Sequence, residues 1–125
     1  MFLHEEITEK IIAAFYKVYN ELGYGFLEKV YKNALTHELL LQGLNASSQY
    51  PIEVYYDTKK VGQYFADILV ENKIILEIKT AETIASEHEL QLVNYLKATE
   101  MQVSLLLNFG KKPEFKRKIF TNDRK

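Results

Sequence analysis

The sequence predicts an α/β sandwich, a central mixed β-sheet flanked by helices in the order ααβββαββ. Three observations carry this. Apolar residues recur with a period near 3.6 through the first forty positions, as on amphipathic helices. From about position 47 the period changes to two, with turn residues between the runs. Two short runs, 74–79 and 101–109, are apolar on both faces and lie either side of one further helical stretch, and such strands belong in the middle of a covered sheet.

The first helix reads from Glu5 to Leu22, with Ile7, Ile11, Phe15, Val18 and Leu22 on one stripe. Gly23 and Gly25 end it, because glycine accepts the left-handed conformation that closes a helix. A second helix runs from about Leu27 to Gln42, with Leu27, Val30, Tyr31, Ala34, Leu35 and Leu39 on its apolar side and Gly43 as terminator. Tyr50, Ile52, Val54 and Tyr56 then alternate with polar neighbours in a strand over about 47–56. Asp57-Thr58-Lys59-Lys60 reads as a hairpin turn into a strand from about Val61 to Val70. Glu71-Asn72-Lys73 is a second tight turn, and Ile74 to Lys79 a third strand. The third helix spans about Ser86 to Thr99, Met101 to Phe109 is the second buried strand, and Phe115 to Phe120 is a short edge strand. With no internal repeat and no linker, residues 1–125 read as one domain.

Composition removes several function classes. At 47% hydrophobic residues the chain is too apolar for a disordered tail. It has no Cys, which excludes disulfide scaffolds, thiolate zinc sites and Cys nucleophiles. No apolar run approaches the roughly 20 residues of a membrane span, and Met1-Phe2-Leu3-His4-Glu5-Glu6 lacks a signal layout, so a cytoplasmic setting with no membrane partner is expected. Net charge is only −1, but residues 111–125 hold seven bases against Glu114 and Asp123. That stretch is either a solvated, lysine-guarded edge or a phosphate-contacting one.

The most informative anomaly is Ile74-Ile75-Leu76-Glu77-Ile78-Lys79. Alternation puts Glu77 and Lys79 on one face with Ile75. Asp67 sits in a similar apolar setting, and the intervening turn places it opposite either Leu76 or Glu77. Strands lie roughly 4.8 Å apart, so the second register brings two carboxylates within reach of one ion. Unpaired carboxylates in an apolar strand are costly, and a divalent cation removes that penalty; oxygen ligands suit Mg²⁺ or Mn²⁺. An ammonium at Lys79 would then stand where it can orient an attacking water or stabilise developing charge on phosphorus. The alternative is a structural ion pair at a strand end.

Gln91 and Tyr95 are an i,i+4 pair on the third helix, set round from Leu92, Val93 and Leu96, with His88 a turn earlier. They read either as a polar stripe supporting the lysine or a phosphate, or as a rim tyrosine beside a solvated glutamine; His88 reads as a surface or supporting residue rather than a ligand. Glu28 opens the second helix, where the helix dipole favours a carboxylate. It serves either as a helix-start residue or as a third carboxylate.

Asp67, Glu77-x-Lys79 and Gln91-x-x-x-Tyr95, in that order and on those elements, resemble the PD-(D/E)xK nuclease superfamily in its RecB-like form. Gly25-x-x-Glu28-x-x-Tyr31 resembles the signature of the GxxExxY family within it. Ala66 stands where the superfamily's name places Pro. The resemblance covers nearly the whole chain and implies a restriction-endonuclease-like fold. It implies Glu28, Asp67 and Glu77 as metal-site carboxylates, with the Ile78 carbonyl as a further ligand. Lys79 is then the catalytic lysine, and Gln91 and Tyr95 its supporting pair.

The expected function is therefore Mg²⁺- or Mn²⁺-dependent hydrolysis of nucleic acid, DNA before RNA. A binding module on the same fold, without catalysis, is the competing expectation. A homodimer would lengthen the groove, with the aromatic hairpin from Tyr50 to Tyr64 as its interface. Small-molecule hydrolase chemistry finds no Gly-x-Ser-x-Gly elbow here, and nucleotide binding no Gly-rich phosphate loop.

Overall fold

The computed structural model describes residues 3–125. Its element order is α1 (Glu5–Leu22), α2 (Glu28–Leu41), β1 (Ala46–Tyr56), β2 (Lys59–Val70), β3 (Ile74–Lys79), α3 (Ser86–Lys97), β4 (Val103–Phe109) and β5 (Pro113–Ile119), followed by a single 3₁₀ turn at Asn122–Arg124. The five strands form one sheet in the order β1-β2-β3-β4-β5. β1/β2, β2/β3 and β4/β5 are antiparallel, while β3 and β4 are parallel and joined through α3. The sheet is mixed, with β3 at its centre, buried from Ile74 through Ile78.

One face is covered by α1 and α2. Ile11, Phe15, Tyr31, Leu35 and Leu39 meet Ile68, Val70, Leu76, Ile78, Leu105, Leu107 and Phe109 in the larger core. The other face carries a smaller core, in which Tyr95 and Leu96 of α3 meet Ile52, Ala66, Leu69 and Ile75. Tyr95 is therefore a core residue of this second face. The stripe is expected apart from the main core face, and Tyr95 does lie off the larger core; it is buried in the smaller one because the sheet has two covered faces and α3 packs on the second. Leu27 and Val30, expected on the buried side of α2, are 79% and 39% exposed. The buried stripe of α2 is narrow, with Tyr31, Leu35 and Leu39 at every fourth position; Leu27 stands just before the helix and Val30 lies off the stripe.

The turns follow local chemistry. Gly23 (φ 71°) and Gly43 (φ 84°) take positive φ after α1 and α2, which glycine accepts because it has no Cβ. Asp57 and Thr58 (φ 49° and 66°) make a two-residue turn, so β2 begins at Lys59, two residues before the expected start. Glu71 and Asn72 also have positive φ, and the Lys73 N–H closes the second turn on the Val70 carbonyl at 3.0 Å. That turn sets Val70 opposite Ile74 and Ile68 opposite Leu76.

Much of the basic C-terminal stretch is spent on internal contacts. Lys118 pairs with Glu89 at 2.7 Å, and Lys125 Nζ donates to the Thr99 and Met101 carbonyls. The Arg124 guanidinium lies over the Phe120 ring. Arg117 donates to the Leu3 carbonyl. No described helix is long and apolar enough to cross a membrane.

Candidate functional site

The site forms where β2 and β3 part. The β2/β3 register continues toward Asp67 opposite Glu77, but the ladder stops at Ile68↔Leu76. The Ile78 N–H donates instead to Asp67 Oδ2 at 2.7 Å. β2 also rolls at this point. Ala66 and Leu69, three residues apart, both enter the α3-side core, whereas a regular strand sends them to opposite faces. Across the pair, Gln49 has φ 58°, a left-handed conformation that an L-residue rarely adopts, and it drops out of the register between Ser48↔Ile68 and Tyr50↔Ala66. Asp67 is thereby held in the opening between two strands.

Glu77 lies on the α3 side of β3, 6% exposed. Burial, followed by a hydrogen bond and charge repulsion from Asp67, pushes its carboxyl from about 4.5 up to about 9, and the Lys79 charge opposes this only in part. Its Oε1 is buried with no hydrogen-bond partner among the described residues. A carboxyl pressed against a second one, with an orphaned oxygen, fits a divalent cation: the ion would satisfy that oxygen and offset the repulsion. Ile78 offers its N–H to Asp67, and its side chain faces the α2 core.

Lys79 is half-buried at the end of β3, and its charge is felt at Glu77. Tyr95 faces the same spot from α3. Burial first, then the Glu77 and Asp67 charges, raise its hydroxyl to about 12, while a hydrogen bond from Gln91 acts the other way. Its ring lies 5.7 Å from that of Tyr64. Asp67, Glu77, Lys79, Gln91 and Tyr95 therefore converge from β2, β3 and α3. His88 does not join them: its Nδ1 accepts the Ala85 N–H at 3.3 Å, closing the start of α3.

Glu28 is placed differently. It is exposed at the start of α2 and lines, with Asp67 and Ile78, a cavity of about 390 Å³ on the α2 side. Among the described residues no three Asp, Glu or His side chains form a ready-made ligand set. The pair is Asp67 with Glu77, and of the two only Asp67 lines the cavity that Glu28 also lines. The rest of its motif is structural. Tyr31 donates to the Gly23 carbonyl at 2.7 Å and accepts from the Phe26 N–H, and its ring stacks on Phe109 at 4.3 Å. Gly25 takes φ 110° within that pinned loop. Glycine turns the chain, tyrosine anchors it, and the glutamate between them is presented to the cavity.

One supporting residue escaped sequence reasoning. Asn108, fully buried, pairs in register with Lys79 and makes two 2.9 Å bonds to Ala81, accepting its N–H and donating to its carbonyl. Gly110 lies against the same carbonyl, where a Cβ would collide with it. Tyr19 donates to the Gly110 carbonyl at 2.8 Å. The chain just beyond Lys79 is thus clamped to the end of β4. The signal was legible: an amide inside Leu105-Leu106-Leu107-Asn108-Phe109, a strand with no other reason to carry one.

A family model described as the PD-(D/E)XK nuclease superfamily matches residues 5–118. Among solved structures, the crystal structure of SSO0001 is similar, with a TM-score of 0.59 and 19% identity over 74% of this chain. The chain spans about half (50%) of that structure's chain, and at this identity the likeness is one of fold. No curated protein matches. The mixed five-stranded sheet with flanking helices is consistent with a restriction-endonuclease-like fold.

Proposed function

Since the chain belongs to the PD-(D/E)XK nuclease superfamily, we propose that it is a divalent-metal-dependent nuclease that hydrolyses phosphodiester bonds, with DNA as its first substrate. The Gly25-x-x-Glu28-x-x-Tyr31 signature supports a place in the GxxExxY branch. The observation that carries the reading is the buried Glu77 carboxyl against Asp67, one of its oxygens without a hydrogen-bond partner among the described residues, with Lys79 two residues on along the same strand face. A bare carboxyl pair in that position destabilises the fold unless something cationic belongs there.

Asp67 and Glu77 would hold Mg²⁺ or Mn²⁺, with Glu28 and the Ile78 carbonyl as further oxygen ligands. Such an ion supplies Lewis acidity, polarising the phosphoryl oxygens and lowering the pKa of water beside it. The rest falls to the chain itself. The Ile78 N–H fixes the Asp67 carboxylate through one oxygen. The Lys79 ammonium orients the attacking water and stabilises negative charge growing on the phosphoryl oxygens. Tyr95, whose hydroxyl is pushed up to about 12, would serve as a hydrogen-bond donor rather than as a base. Gln91 holds that hydroxyl in place.

The exposed Tyr55, Tyr56, Tyr64 and Phe65 of the β1–β2 ribbon support a second copy of the chain as partner through that surface, checked by mass in solution. The decisive experiment is cleavage of plasmid and of oligonucleotides with Mn²⁺ or Mg²⁺. We expect activity that EDTA abolishes and that Lys79→Ala lowers at least 100-fold with an unchanged circular dichroism spectrum. Salt-sensitive binding with no cleavage under any of these conditions would establish a binding module instead.

A further inference from the structure

We propose that Lys29 and Lys32 of α2 form a subsite for a second phosphate of the substrate strand, next to the one cleaved; its position beside the scissile group rests on the nuclease reading above. Both lysines line the same cavity as Glu28 and Asp67. They lie three residues apart and so project from neighbouring positions on one helix face. The cavity, at about 390 Å³, falls in the range of roughly 300–1,000 Å³ typical of small-ligand sites. That is far more room than a single ion needs.

Its lining carries both signs of charge: Asp67 comes from β2, while Glu28, Lys29 and Lys32 all come from the first turns of α2. Lys17, Lys60 and Lys118 all pair with carboxylates, at 3.2, 3.3 and 2.7 Å. Lys29 and Lys32, although they share a cavity with two acids, make no ion pair among the described residues. Asn33 and Gln49 add neutral amide donors to the same lining, and Gln49 is held there by its left-handed backbone directly across from Asp67. With a cation on the carboxylates, the remaining wall is two ammonium groups and hydrogen-bond donors. That is the chemistry of a phosphodiester anion's binding site. Consecutive phosphates of one strand would then meet the ion held at Asp67 and the Lys29 and Lys32 pair in turn.

The basic C-terminal segment is the other candidate for this task, and part of its charge is already engaged within the fold. Lys118 and Lys125 are held by Glu89 and by backbone carbonyls, and Arg124 lies over Phe120.

The test measures binding of a 12-nucleotide oligonucleotide as a function of salt in Ca²⁺, and its cleavage in Mn²⁺. It compares the wild type with Lys29→Ala, Lys32→Ala, the double alanine variant, and the double arginine variant. The double alanine variant should bind about tenfold more weakly with a salt slope shallower by about one. It should raise KM by a similar factor with kcat within about twofold, and arginine should restore the affinity. An unchanged slope and KM in a wild-type background that cleaves would overturn the subsite and leave the nuclease reading intact. An equal loss in kcat, with KM unmoved, would also overturn it, by placing the lysines at the reacting phosphate. A wild type that neither binds nor cleaves any nucleic acid would remove both.

Discussion

Ile78 and Asp67 are joined where their strands part: the backbone N–H of Ile78 donates to the Asp67 side chain at 2.7 Å. A carboxylate thus takes the place of the backbone carbonyl that a continued ladder would have offered. One bond ends the β2/β3 pairing, satisfies a buried N–H and aims an acid at the gap. Glu77, the residue just before Ile78, supplies the second acid from the opposite face of the same strand.

Glu77 makes stability depend on pH when metal is removed. Its folded-state value of about 9 lies above the ordinary 4.5, so between those limits the folded chain keeps a proton that the unfolded chain has released. That contribution is complete below about pH 4.5 and is lost as pH rises toward 9. Glu77→Gln, which mimics the protonated carboxyl, should melt higher than the wild type in EDTA. The gap should widen from pH 5 to pH 8.5 by about 5 °C or more. A gap independent of pH would show that this carboxyl ionises normally.

Metal should reverse the trend. An ion between Asp67 and Glu77 displaces the shared proton, so Mn²⁺ should raise the melting temperature more at pH 8 than at pH 6. At a hundredfold excess over Kd the gain is about 2.7 kcal/mol. Asp67→Asn or Glu77→Gln should abolish most of the shift. A shift that survives both substitutions would place the ion elsewhere.

The Asn108 clamp should matter to rate as well as to stability. Asn108→Ala strands the Ala81 N–H and carbonyl, a loss of about 1–3 kcal/mol. It also frees the chain beyond Lys79, so kcat should fall about tenfold while the melting shift with Mn²⁺ persists. Gly110→Ala should act in the same direction, because its methyl group would displace the Ala81 carbonyl. Denaturant titration and steady-state cleavage separate the two effects.

Tyr95 combines packing with chemistry, and the two can be divided. Tyr95→Phe keeps the ring against Tyr64, Leu69 and Ile75, so stability should change by less than about 1 kcal/mol. Loss of the hydroxyl should still lower kcat, by about ten- to a hundredfold. Tyr95→Ala should cost about 3–5 kcal/mol as a cavity. Equal activity in Tyr95→Phe would confine this residue to the core.

Periodicity by itself determined the element order. The 3.6 spacing in α1 and α2, and the two-sided apolar runs at β3 and β4, record which surfaces must leave water, and burial is what decides such elements. Acids within an apolar strand were equally legible, since Glu77 has no place there without a reason. Only the tertiary structure decided where those acids point. The three-residue turn at 71–73 sets the register, the roll of β2 at Asp67 opens the gap, and neither leaves a periodic trace. It also decided that Tyr95 is core, that Glu28 lines a cavity with Lys29 and Lys32, and that Asn108 holds the chain after Lys79. Each of these is a contact between residues distant along the chain, set by how strands twist and helices cross, and a local pattern does not encode that.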